Sequence, residues 1–159
     1  MKGIQLSQGK VALVDDEDYD RVNQFKWCAQ KSRNTFYAMR TKYVCKMHIY
    51  IKMHGFILNK EDSSQIDHWD RNGLNNQKVN LRPCTGQQNS FNRGKRTGCT
   101  SKFKGVHFNK ERKKYMLQIS VNRRQTYLGL FNSEIEAAKA YDVKALELFG
   151  EFAYLNFPL

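Results

Sequence analysis

The sequence predicts an α+β chain built as two small modules, and three observations predict it. Strand and helix patterns are mixed over the first sixty residues. A basic, almost wholly polar segment from Asn92 to Lys102, with Cys99 its only apolar residue, then interrupts the chain. Beyond it, three alternating strands lead into a helix that opens on a capping box. The expected layout is a small N-terminal sheet with a strand–loop–strand–helix unit over 1–92 and a basic linker over 93–102. A three-stranded antiparallel sheet packed on one C-terminal helix follows over 103–159. A chain of 159 residues can hold two such modules, each near the lower size limit for folding without a staple.

In order, Val11-Ala12-Leu13-Val14 reads as a short apolar strand running into Asp15-Asp16-Glu17-Asp18, acids that favour a helix N-terminus. Four adjacent carboxylates point in different directions, so a structural or capping role is expected rather than a metal site. Phe25-Lys26-Trp27-Cys28-Ala29 and Thr35-Phe36-Tyr37-Ala38-Met39-Arg40 are aromatic-rich strands joined by a turn at Lys31-Ser32-Arg33-Asn34. Met47, Tyr50 and Ile51 fall at helical spacing, which predicts a helix from Lys46 that Gly55 ends. His48 and His54 on it are expected to be structural. The four cysteines (Cys28, Cys45, Cys84, Cys99) form no CxxC pair. That argues against zinc or a disulfide framework and for reduced thiols filling small apolar gaps.

The stretch from Ile66 to Asn89 carries the chemistry. Asp67-His68 ends an apolar strand at a turn that Asp70, Asn72 and Gly73 favour. Asn80-Leu81-Arg82 brings the chain back, and Thr85 caps a short helix bearing Gln88 and Asn89. An acid beside a histidine in so polar a loop suits a metal site aimed at a phosphate. The same residues suit an Asx-rich turn between two strands, with Asp70, Asn75 and Asn76 as turn formers. Composition does not choose between the two. Arg71 could hold a phosphate, and Arg82 could do so or pack against the loop.

The charge supplies a partner. Lys plus Arg number 27 against 15 Asp plus Glu, a net +12 with a pI near 9.6, which points to an anionic partner. No apolar run approaches the ~20 residues of a membrane span, and the N-terminus lacks a signal-peptide pattern. An intracellular, cytoplasmic protein with double-stranded DNA as its partner is therefore expected, as a monomer or, where two chains cooperate, as a dimer. From Arg93 to Arg124 there are eleven Lys/Arg and one Glu, so the charge is local and marks a binding surface.

Asp67-His68, Asn80-Leu81-Arg82 and Asn89 resemble the ββα-metal motif of HNH nucleases, in particular the phage and intron-encoded HNH homing endonucleases of mobile elements. Leu13-Val14-Asp15-Asp16-Glu17 and Phe25-Lys26-Trp27 are similar to that family's lead-in, so the resemblance covers roughly 10–93. Many members have His where this chain has Asn89, and a subset has Asn. The resemblance implies a nuclease active in a phage-infected bacterial host, with His68 taking a proton from the attacking water. Asn80 would pin the loop as part of the catalytic group. Asp67 and Asn89, a carboxylate and an amide oxygen, would be hard ligands for Mg²⁺ or Mn²⁺.

The second module resembles the plant ethylene-responsive-factor (Apetala-type) DNA-binding domain through Lys104-Gly105-Val106, Tyr127-Leu128-Gly129-Leu130-Phe131, Glu136-Ala137-Ala138-Lys139-Ala140-Tyr141-Asp142 and Leu155-Asn156-Phe157. That resemblance implies a sheet face laid in the major groove. Lys104, His107, Asn109, Lys114 and Gln118 would face DNA. The turn residues Lys110, Arg112, Arg123 and Arg124 and the linker residues Arg93, Lys95 and Arg96 would track its backbone. The plant domains carry arginines and tryptophans where this chain has His107, Asn109 and Tyr115, so their base preference does not transfer. The functional expectation is a metal-dependent DNA endonuclease positioned by its sheet domain. The alternatives are a DNA-binding regulator with an inert head and a merely basic packaging protein.

Overall fold

The computed structural model describes residues 1–32, 35–60, 65–95, 98–122 and 124–158. It is an α+β protein of two compact units, Met1–Gly86 and Gln87–Leu159. No helix among the described residues is long and apolar enough to cross a membrane.

In the first unit, strands β1 (Lys2–Gln5) and β2 (Val11–Val14) pair antiparallel and lead into helix α1 (Asp16–Asn23). A three-stranded antiparallel sheet follows, β3 (Cys28–Ser32), β4 (Thr35–Val44) and β5 (Met47–Lys52), in that spatial order. The short helix α2 (Met53–Ile57) precedes the hairpin of β6 (Gln65–His68) and β7 (Leu81–Cys84). One core joins these pieces, with Ile4, Val14, Val22, Trp27, Ile51, Met53, Ile66 and Leu81 all buried.

Three local expectations need correction. The helix expected from Lys46 is strand β5, paired from Val44↔Met47 to Met39↔Lys52, and the helix starts at Met53 and runs through Gly55. The ten-residue β4 offers a long edge, and Ile49, Tyr50 and Ile51 are strand formers that satisfy it, so pairing overrides the weak helical spacing. Phe25 and Lys26 lie outside the strand, which begins at Cys28. Cys28 and Cys45 are exposed and so fill no apolar gap. The turn residues Arg33 and Asn34 lie outside the described residues.

The second unit begins with helix α3 (Gly86–Phe91), whose Phe91 stacks on Phe149 at 3.9 Å between ring centroids. Strands β8 (Val106–Asn109), β9 (Lys114–Val121) and β10 (Arg124–Phe131) form an antiparallel sheet in the order β10-β9-β8. Helix α4 (Glu134–Phe149) starts at Ser133, whose hydroxyl accepts from the Glu136 N–H, and stops at Gly150, φ +53°. Ala137, Ala138 and Ala145 are fully buried, so the small side chains let α4 lie close on Val106, Leu117 and Ile119.

Candidate functional site

The β6–β7 hairpin sets the frame. Its register places Asp67 opposite Arg82 and His68 opposite Leu81. Paired residues share a face, and Arg82 donates from Nε and Nη2 to Asp67 Oδ2 at 2.9 and 2.7 Å. Of the two roles open to Arg82 in the sequence, the structure has it against the loop acid. The ladder runs one step further, with the Trp69 N–H donating to the Asn80 carbonyl at 2.9 Å.

Asn80 and Asp70 hold the intervening loop. Asn80 Oδ1 accepts from the Asp70 N–H, and Asn80 Nδ2 donates to Asp70 Oδ1 and to the Asn75 carbonyl, all within 2.9 Å. Asp70 Oδ2 accepts from Asn75 Nδ2, and Asp70 Oδ1 also takes the Asn72 N–H. Gly73 lies where a Cβ would meet the Phe36 carbonyl at 2.5 Å and the Tyr37 ring at 2.6 Å, so the loop presses on β4 closely enough to need a glycine.

The acidic run has a structural role, though not as a local cap. The Asp15 side chain makes no bond to its own helix. Its Oδ2 accepts from the Lys78 N–H at 2.7 Å and its Oδ1 from Gln77 Nε2 at 3.2 Å. Lys78 Nζ pairs with Glu17 and with Asp18. The N–H of Asn76 donates to the Leu13 carbonyl, so β2 and α1 together fasten the turn that precedes Asn80.

His68 is 4% exposed and Asn76 1%. Asn76 Nδ2 donates to the Leu74 carbonyl, which assigns the amide orientation and turns Oδ1 toward His68 Nε2 at 3.5 Å. An amide oxygen only accepts, so in this contact His68 Nε2 is the donor. Burial pushes the His68 pKa below its ordinary 6.5, although Asn76, Asp70 and Asp67 pull the other way. Two further rings pack on it: His54 at 5.0 Å and Tyr37 at 5.6 Å between centroids. Burial, with His68 and Lys52 adding, brings the His54 pKa down to about 3.

Asn76, a turn former by its sequence, is thus also the residue facing His68 Nε2. Nothing in its spacing signals this, because an asparagine in a turn always has a sufficient local reason to be there. His54 did carry a signal. A histidine among Met53, Gly55, Phe56 and Ile57 sits in an apolar run and is buried with it. His48 is exposed, with its ring tilted against that of Tyr43 at 5.1 Å between centroids.

Among the described residues no three His, Cys, Asp or Glu side chains cluster as a ligand cage. The Asp67 carboxylate is a hard oxygen donor, of the kind that suits Mg²⁺ or Mn²⁺ rather than zinc, and in this structure Arg82 holds its Oδ2. Asn89 lies on α3, in the second unit.

In that unit, the register puts His107 opposite Met116, Asn109 opposite Lys114 and Gln118 opposite Tyr127. Strand alternation turns these away from Val106, Leu117 and Ile119, which pack on α4. Lys110, Arg112, Lys114 and Arg124 are exposed along the turns and edges, and Arg93 is exposed beyond α3. Lys104 is committed elsewhere: its Nζ donates to the Phe91 and Arg93 carbonyls at 2.6 Å each, closing the end of α3. Lys95 Nζ donates to the Ser101 carbonyl. Arg96 and Arg123 lie outside the described residues.

The chain is 34% identical over 152 residues to an uncharacterised HNH endonuclease of Acanthamoeba polyphaga mimivirus, covering 94% of this chain and 76% of that protein. A 36-residue stretch is 53% identical to an AP2-like ethylene-responsive transcription factor of Arabidopsis thaliana, of which it covers 12%. A 72-residue stretch is 39% identical to an APETALA2-like protein of rice, 15% of its length. No family model and no solved structure matches the chain.

Proposed function

The chain belongs to the HNH endonuclease family, and from that membership and the geometry around His68 we propose a metal-dependent DNA endonuclease that hydrolyses phosphodiester bonds. The observation that carries the reading is a buried His68 at the end of β6, its Nε2 facing Asn76, following in the strand an Asp67 whose carboxylate Arg82 orients. His68 accepts the proton of the attacking water at Nδ1, and Asn76 supports the resulting imidazolium at Nε2. Asn80 keeps the loop in shape throughout. Asp67 would hold Mg²⁺ or Mn²⁺, with Asn89 a further ligand by resemblance to the family alone, and the ion would supply Lewis-acid stabilisation of charge on the phosphate and on the leaving 3′ oxygen.

The second unit supplies the grip on DNA. Its likeness to AP2-like factors and its exposed Lys110, Arg112, Lys114 and Arg124 beside His107, Asn109 and Gln118 support a β-ribbon entering the major groove. With one catalytic centre per chain, a monomer nicks one strand. A second reading, a DNA-binding regulator with an inert head, draws on the Asp67–Arg82 pair, because an acid neutralised by arginine attracts a cation less.

Cleavage of supercoiled plasmid in Mg²⁺ separates the two. His68→Ala should cut roughly 10² to 10⁴ times more slowly than wild type with binding nearly intact. Equal rates for the two proteins reject the endonuclease.

A further inference from the structure

The two tryptophans of the first unit differ sharply. Trp27 is 3% exposed and donates its indole N–H to the Val22 carbonyl. Trp69 is 66% exposed on the residue immediately after His68, and Val79, immediately before Asn80, is 89% exposed. Large apolar side chains on a soluble surface commonly mark a contact surface, and tryptophan is enriched at such places. The segment carrying these two is rigid: the Trp69 N–H is bonded to the Asn80 carbonyl, and the next residue, Asp70, is locked to Asn80 by two side-chain bonds. With the ladder continued one step past His68, strand alternation puts Trp69 on the face of Asp67 and Arg82. A rigid apolar projection therefore stands one pleat from the proposed cation-binding acid.

We infer that Trp69, flanked by Val79, is a wedge that stacks into a base step of duplex DNA on the face of β6 that carries Asp67, opening the helix beside that acid. This rests on the nuclease reading and adds to it how the duplex is opened at the acid that would hold the cation. DNA is the occupant favoured by charge: residues 1–86 carry 14 Lys and Arg against 9 Asp and Glu, and the exposed Arg71 stands two residues from the indole. Apolar side chains inserted between base steps unstack and kink a duplex, and an indole ring offers a π-face to whichever base it meets.

The test uses the full chain and one closed circular plasmid in two forms, negatively supercoiled and relaxed. In EDTA, with binding followed by gel shift, DNA should protect the exposed tryptophan of the wild type from acrylamide quenching several-fold. Trp69→Phe, which reports only the buried Trp27, should show no change. In Mg²⁺, Trp69→Ala should lose about tenfold more rate on relaxed plasmid than on supercoiled plasmid, where base steps open more easily, and Trp69→Phe should recover most of it. DNA bound with Trp69 still quenched, or a Trp69→Ala defect equal on both forms, overturns the wedge. A wild type that protects Trp69 but cuts neither form overturns the nuclease reading instead.

Discussion

Asn76 Oδ1 faces His68 Nε2 at 3.5 Å where both side chains are buried, so the ring's tautomer is set by a residue 8 positions along the chain. Asn76→Ala removes that acceptor and the support for an imidazolium. Cleavage should fall about tenfold to a hundredfold, with DNA affinity unchanged by gel shift. An undiminished rate would show that His68 needs no help from Asn76.

Asn80→Ala should act first on stability. Its side chain makes three hydrogen bonds inside the loop and is 4% exposed, so truncation leaves the Asp70 and Asn75 groups unmatched. A loss of roughly 2–4 kcal/mol in urea unfolding is expected. A change below 0.5 kcal/mol would mean that water replaces the network at little cost.

Acid should weaken the first unit. His54 is neutral in the fold, with its pKa near 3, and takes a proton in the unfolded chain near the ordinary 6.5. The unfolded state therefore binds more protons between these values, so stability is full above about pH 6.5 and falls as pH drops toward 3, by up to ~1.4 kcal/mol per pH unit from this residue. His68 shifts in the same direction. The groups facing His54 are Tyr37, His68 and Lys52. His54→Phe should flatten the urea midpoint between pH 7 and pH 4.5, and an unaltered slope would place the acid sensitivity elsewhere.

Gly105→Ala tests the second unit. Gly105 has φ +81°, and a Cβ there would meet the Tyr141 ring at 2.2 Å and the Gln118 carbonyl at 2.8 Å. Strain and overpacking together should cost roughly 2–5 kcal/mol. A wild-type melting temperature would require Tyr141 to leave its buried position.

Replacing Lys110, Arg112, Lys114 and Arg124 together by Gln should weaken DNA binding and flatten its salt dependence. Each lost phosphate contact lowers the log–log slope by about 0.9. An unchanged slope would locate the phosphate contacts on other residues.

Much of this was legible because local and tertiary preferences agree. The alternation of Tyr115, Leu117, Ile119 and Val121, the Ser133 cap and the buried alanines all specify the same sheet-on-helix packing. Asp67, His68 and Asn80 stand out because so polar a loop between apolar strands needs a reason. What was not legible depends on partners distant in sequence. Met47 to Lys52 becomes a strand because β4 is long enough to pair with it, and Lys104 turns to the Phe91 and Arg93 carbonyls. Asp15 looks like a helix cap yet bonds the Lys78 N–H, 63 residues away.

That last separation has a consequence for when the site takes shape. The loop beside His68 is fastened to β2 and α1 across about sixty residues, so it cannot assemble from local contacts and closes only after nearly the whole first unit has been synthesised. A nascent or prematurely terminated chain carries Asp67 and His68 without the network that shapes them. A chain that ends before Lys78 therefore has nothing to hold the turn against β2 and α1.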